Sequence, residues 1–397
     1  MATDIVVEGP QLDSAIVEVL PATDTVVEEP RLDGPIVGDE LWKALPATDR
    51  VVKKPQLERA FVEVLPATNT VVEEPRLDSA IVEVLPTDEK VLTVERYGVS
   101  NWAYTARVNV QSRDGSARAY FLKILLASDA AERVLGEYTA MREIYDTLPS
   151  IAPRPVGYGE CRDQEGHFFI CDYLELDHTL PDPVRLGEKL AELHRKSESP
   201  TGMFGFHCTS FDGKLPLNTT WESSWTTFFQ TLMRDVYKLD VEVNGFWQEL
   251  DDAVQTTLHR LIPRLLDPLT SDGRSIKPCL IHGDLWEANI GTDAYTGEIY
   301  IFDACAYYAH HEKELGIWRC KHHKLYGEEY RQEYFKNYQP SEPLEEYDDR
   351  NRLYSVETLL INSAHFPGSE TRQRALDEMR YLIEKYIPDD TPVAAKI

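Results

Sequence analysis

His282-Gly283-Asp284-Leu285-Trp286-Glu287-Ala288-Asn289, with Phe302-Asp303 closing the apolar run further on, is the stretch on which the reading of this chain turns. An Asp, an Asn five residues later and a second Asp at a strand end supply the oxygen atoms that kinase-type phosphoryl transfer requires. One carboxylate must take the proton of the acceptor hydroxyl. Hard oxygen ligands must hold magnesium against the nucleotide phosphates. Asp284 suits the first task, and Asn289 and Asp303 suit the second. Cys279-Leu280-Ile281 reads as a short strand entering the loop, and Glu298 to Phe302 as the strand that delivers Asp303. Gly297 suggests a turn that pairs these two strands as a hairpin. A loop whose polar residues only cap turns is the plainer alternative, but it leaves the joint fit of type and spacing unexplained.

The composition fits a globular enzyme. A chain of 397 residues has room for two or three folded units. A net charge of −27 argues against a broad basic face for nucleic acid and against anionic membrane surfaces. No apolar run approaches the roughly 18 residues of a membrane span. Met1-Ala2-Thr3-Asp4 lacks the basic start of a secretory signal. The six cysteines are scattered without a Cys-x-x-Cys pair, as in a reducing compartment. The expectation is a soluble, cytoplasmic protein with no nucleic-acid or membrane partner.

Residues 1–74 hold tandem repeats of about 20 residues, the full set of copies beginning at Thr3, Thr23, Thr48 and Thr68. In the last copy Leu77, Ala80, Ile81, Val84 and Leu85 form one apolar helical face, opened by Pro75 and stopped by Pro86. That copy is expected to dock on the following domain as its first helix. The first three are expected to be flexible or partly helical, with a partner-binding array as the functional rival.

From 75 to 174 the pattern becomes that of a small nucleotide-binding lobe. Val91–Val94, Ala103–Val110 and Ala119–Ile124 are strand candidates, and Asp114-Gly115 is a hairpin turn. A helix runs from about Ala130 to Leu148. Lys123, inside an apolar strand, must reach solvent or an anion; in a kinase it reaches the phosphates and is held by a helix glutamate. Glu137 is the preferred partner and Glu132 its competitor. Gly98 and Ser100 lie in a loop that can turn backbone N–H groups toward phosphates, although it lacks the G-x-G-x-x-G pattern. His167 to Leu174 reads as the last strand and hinge, with Asp172, Tyr173 and Leu174 facing the adenine.

Residues 175–397 read as a larger helical lobe. Arg185 to Ser197 is a helix, with His194 among the basic residues of its last turn. Trp221, Trp225 and Phe228 share helical spacing and are assigned to the core. The whole is then an α+β, bilobal, protein kinase-like fold: a small antiparallel-sheet N-lobe, a helical C-lobe and the repeat segment ahead of both.

The chain resembles the fructosamine/ketosamine-3-kinase family, related in fold to aminoglycoside phosphotransferases. The likeness rests on His282-Gly-Asp-Leu-Trp-x-x-Asn289, on Phe302-Asp303-Ala-Cys-Ala-Tyr-Tyr-Ala-His310 with Glu312 and Glu314-Leu-Gly316, and on Gly202–His207, Trp221–Phe229, Lys123 and Gly136-Glu137. It implies ATP-dependent phosphorylation of the 3-hydroxyl of a ketosamine, free or on a glycated protein, after which the sugar is shed. It places Asp284 as base, Asn289 and Asp303 on Mg²⁺, Lys123 and Glu137 on the phosphates. Trp286 and His282 are assigned to the sugar site, and His310 and Glu312 to its wall, with capping of the next helix as the other role for the last two. Gly98 to Trp102 contains no cysteine, so a disulfide switch in the nucleotide loop has no support. A kinase for another amino-alcohol or aminoglycoside, and a non-catalytic scaffold binding partners through the repeats, are the alternatives. The preferred ketosamine and the choice between monomer and dimer stay open.

Overall fold

The structure is a computed structural model that describes residues 77–98, 103–177 and 179–388. The first three repeats and Ser100 lie outside the described residues. Among the described residues no helix is long and apolar enough to cross a membrane.

The chain enters through α1 (Ser79–Val84), which is only six residues long and therefore needs a surface to hold it. Asp78 supplies much of that hold. Its carboxylate caps the helix by accepting from the Ala80 N–H at 2.9 Å, and it also accepts from the Arg162 and Asp163 N–H groups at 3.1 and 2.8 Å. Ile81 is fully buried, with Ala80 and Leu85 beside it, against Val108, Val110, Tyr120 and Phe168. Burying one such side chain is worth roughly 1.5–3 kcal/mol. The last repeat thus docks as its helical face predicts.

Five antiparallel strands follow: β1 (Glu89–Arg96), β2 (Tyr104–Ser112), β3 (Ala117–Leu125), β4 (Pro155–Glu160) and β5 (His167–Asp172), in the spatial order β1-β2-β3-β5-β4. Alternation along β3 decides the site. Tyr120, Leu122 and Ile124 turn inward to the core beneath α1, so Phe121 and Lys123 point to the opposite face. β4 carries no sequence signal because Pro155, Gly157 and Gly159 weaken strand propensity. Such residues are tolerated at a sheet edge, where this strand lies. Between β3 and β4 runs α2 (Ala130–Thr147), whose inward face carries Val134, Met141, Ile144 and, one turn after Arg133, Glu137.

A two-residue strand, β6 (Leu176–Asp177), leads to the helical half. Its helices are α3 (Pro183–Lys196), α4 (Trp225–Asn244), α5 (Gln248–Thr256), α6 (Ile262–Leu266), α7 (Glu328–Asn337), α8 (Tyr347–His365) and α9 (Thr371–Tyr386). α8 is central: it packs on both α4 and α9 and is buried on most sides. The α4 helix begins at Trp225, where the Ser224 hydroxyl accepts from the Thr227 N–H at 3.2 Å. Trp221 therefore precedes the helix rather than starting it, while Trp225, Phe228 and Phe229 lie on its buried face.

Short strands carry the loops of the site: β7 (Ser210–Asp212) with β8 (Leu215–Leu217), then β9 (Cys279–Ile281), β10 (Ile290–Asp293), β11 (Ile299–Ile301) and β12 (Tyr307–Ala309). The expected pairing of β9 with the strand before Asp303 does not occur. β11 folds back on β10, its immediate neighbour across the Gly297 turn, and β9 pairs with β12. The Gly291-Thr292-Asp293 composition hides β10 from a propensity reading.

Candidate active site

The loop that carries Asp284 is held from below by buried charge. Glu314 accepts from the backbone N–H groups of His282 and Gly283, the latter at 3.1 Å. Gly283 has φ +86°, and a Cβ there would stand 2.5 Å from the Cys305 carbonyl oxygen, so the position demands glycine. His282 is fully buried; its Nδ1 accepts from the Asp284 N–H at 3.3 Å and its Nε2 donates to the Phe302 carbonyl at 2.9 Å. Burial lowers its pKa below the ordinary histidine range, against the pull of Glu314, so it stays neutral. One imidazole thereby ties the loop carrying Asp284 to the strand end carrying Asp303. That corrects its assignment to the sugar site: His282 positions the loop and cannot reach an acceptor.

Asn289 donates through Nδ2 to the Asp284 carbonyl at 2.9 Å and to its carboxylate at 3.0 Å. Its amide oxygen is then the atom left for a metal. Asp303 adopts φ +62°, a left-handed conformation uncommon for a residue with a Cβ. Its carboxylate meets Lys123 Nζ, which also lies 2.9 Å from Glu137 Oε2. Glu132, the competing partner, is exposed on the outer face of α2. Burial alone would depress the Lys123 ammonium, but Asp303 and Glu137 hold it above the usual lysine range. Burial pushes Asp303 up as well, and Lys123 outweighs it to bring the carboxyl below the usual range.

Lys123, Glu137, Asp284, Trp286, Asn289 and Asp303 line one cleft of about 380 Å³. Desolvation first, then the charges of Asp212 and Asp303, push Asp284 well above the usual carboxylate range; hydrogen bonds from Asn289 and Trp286 pull the other way. The cleft is short of positive charge, which is the electrostatic condition for taking in a cation. Two oxygen donors of different side chains, Asn289 and Asp303, beside the ammonium of Lys123 fit a magnesium-bound triphosphate by donor type.

Other expectations are placed elsewhere. Gly98, at φ +73°, forms the turn after β1. The Asp172 and Tyr173 N–H groups donate to the Arg154 and Ala119 carbonyls at 2.9 and 3.0 Å, and Asp172 forks onto the Arg154 guanidinium. Asp172, Tyr173 and Leu174 do not line the described cleft. His310 and Glu312 do not form its wall. His310 is buried between the Tyr354 and Ser341 hydroxyls at 2.9 and 2.8 Å. Glu312 is fully buried in a two-pronged pair with Arg350 at 2.8 and 2.9 Å. β12 leads the chain into the core, so His310 and Glu312, both fully buried, stay clear of the cleft.

Two cleft residues carry no sequence signal. Asp212 sits in Phe211-Asp212-Gly213-Lys214, which reads as an ordinary turn, and His365 ends α8 more than a hundred residues away. Only the fold brings them together, with His365 Nε2 3.0 Å from Asp212 Oδ1.

Comparison with known proteins agrees with this geometry. The chloroplastic protein-ribulosamine 3-kinase of Oryza sativa subsp. japonica is 32% identical over 252 residues, 64% of this chain and 68% of that protein. The mouse ketosamine-3-kinase is 26% identical over 302 residues, 68% of this chain and 90% of its own. Among solved structures, a Thermobifida fusca protein provisionally assigned as a fructosamine-3-kinase superposes with a TM-score of 0.59 at 20% identity, covering 78% of this chain and all of that one. The aminoglycoside phosphotransferase APH(4)-Ia gives 0.51 at 14% identity over 74% of this chain and 94% of its own, a likeness of fold alone. The family model described as fructosamine kinase matches residues 98–385, and the chain belongs to the fructosamine kinase family.

Proposed function

We propose that the chain transfers the terminal phosphoryl group of ATP to the 3-hydroxyl of ketosamines, the ribulosamine or fructosamine adducts of lysine, so that the modified sugar is shed and the amine restored. The observation that carries this reading is the meeting of Asp284 with Lys123, Glu137, Asn289 and Asp303 in one cleft. Asp284 takes the proton of the attacking hydroxyl, and a raised carboxyl makes a better base for that transfer. Asn289, bonded to Asp284, fixes the carboxylate orientation. Lys123, braced by Glu137, faces the phosphates. Asn289 and Asp303 would hold magnesium, which would supply charge neutralisation at the transferred group. Trp286, in the cleft beside Asp284, offers a flat apolar wall to the sugar.

The test is incubation of the purified full chain with ATP, Mg²⁺ and a panel of ribulose-, fructose- and psicose-modified lysines, with phosphorus NMR to locate the product. Phosphate on O3 of at least one ketosamine is expected. ATP consumption with an aminoglycoside or amino-alcohol, but with none of the ketosamines, would transfer the chain to another acceptor class.

A further inference from the structure

The cleft holds a carboxylate that phosphoryl transfer leaves unused. Asp212 ends β7, and the hairpin that carries it is fastened to the site: the Ser210 hydroxyl donates to the Ala306 carbonyl at 2.6 Å, in the loop following Asp303. His365, 3.0 Å from its Oδ1, fixes the other side, and the two side chains are only 16% and 8% exposed. Asp212 is therefore oriented on a rigid element rather than swinging on a free turn.

Its charge falls where charge is already in excess. Asp212 is one of the two carboxylates whose fields raise Asp284. The fixed cations lining the cleft face other groups: Lys123 meets Glu137 and Asp303, and Arg133 lies 3.7 Å from Asp129. Deeper in, Lys313 is paired with Glu357 at 2.9 Å. Two carboxylates directed into one partly dry space repel unless a cation joins them. A ketosamine brings one. Its C1 carries a secondary alkylamine, protonated at neutral pH, and only C1 and C2 separate that nitrogen from the C3 whose hydroxyl must reach Asp284. The acceptor hydroxyl and the ammonium therefore enter the same end of the cleft together.

We propose that Asp212, oriented by His365, is the counter-ion of the protonated secondary amine, and that this pairing lets the enzyme select ketosamines over neutral ketoses. The inference rests on the ketosamine kinase reading above. It makes Asp212 a specificity-determining residue, with His365 as its positioning partner. Phe211 and Trp286, on the same cleft, leave the carbon chain of the adduct an apolar path.

The test compares kcat/KM of the full chain for Nα-blocked fructosyl-lysine and for a 1-O-alkyl fructose of equal length, in which an ether oxygen replaces the amine. The unaltered protein should prefer the amine by roughly 10- to 100-fold, the range of a hydrogen bond to a charged group. Asp212→Asn keeps the size and a hydrogen bond to His365 but loses the charge, and should bring the preference close to parity. Asp212→Glu should retain much of it and Asp212→Ser should lose it, so the outcome follows charge rather than folding of any one variant. An undiminished preference in Asp212→Asn or Asp212→Ser, or none in the unaltered protein, overturns the counter-ion role while leaving the kinase reading intact. Failure of the unaltered protein to phosphorylate any ketosamine of the ribulose, fructose and psicose panel removes the kinase reading and this inference with it.

Discussion

Replacing Asp284 with Asn is expected to lower kcat by about 10²–10⁴-fold, the usual contribution of a positioned base. The substitution is nearly isosteric, and the amide oxygen can still accept from Asn289 Nδ2, now 3.0 Å from the carboxylate. Folding should therefore be unaffected. Nucleotide binding should be as tight as before or tighter, because one of the negative charges crowding the cleft is gone. Rapid-quench kinetics and calorimetric titration with Mg·ATP separate the two effects. Turnover within threefold of the unaltered protein would show that the base lies elsewhere.

The second large effect concerns stability. Arg350 and Glu312 are both fully buried, and the guanidinium also donates to the Pro343 and Ser341 carbonyls at 2.8 and 2.7 Å. Burial pushes Glu312 above the usual carboxylate range even with Arg350 and the Ser341 N–H pulling it down. Arg350→Met leaves that carboxylate without its cation and two carbonyls without a donor. The expected cost is about 3–5 kcal/mol. The unfolding midpoint in a thermal scan should fall by roughly 5–10 °C. The double variant Glu312→Leu/Arg350→Met should recover part of the loss, since an apolar pair removes the stranded charge. A single variant as stable as the parent would mean that solvent reaches this site.

These two positions mark what a sequence can and cannot reveal. The meeting of Lys123, Asp284, Asn289 and Asp303 in one cleft is legible because their placement follows from local context: a lysine in an apolar strand, a loop of fixed length, an Asp at a strand end. The alternation of β3 is enough to send Lys123 to the face opposite Leu122. Glu312 and His310 carry the same types of functional group, yet their roles depend on whether the chain after β12 turns toward solvent or into the core. Burial of that kind is a tertiary outcome. His282 is opaque for the same reason: a histidine two residues before the candidate base looks like a participant, yet both its ring nitrogens are engaged by backbone. Asp212 and His365 fail differently, since neither has a neighbour in sequence that hints at chemistry. Strand pairing was lost where glycine and proline mask short strands, as in β4 and β10.

The docking of α1 bears on where the enzyme can be shortened. Family resemblance begins at residue 98, but α1 and β1 precede that point and complete the small lobe. Truncation at the resemblance boundary would strip the cover from Val108, Val110, Tyr120 and Phe168 and leave β2 as a naked edge. Such a fragment invites aggregation during expression, whereas one starting a few residues ahead of Leu77 keeps the lid of its own nucleotide lobe.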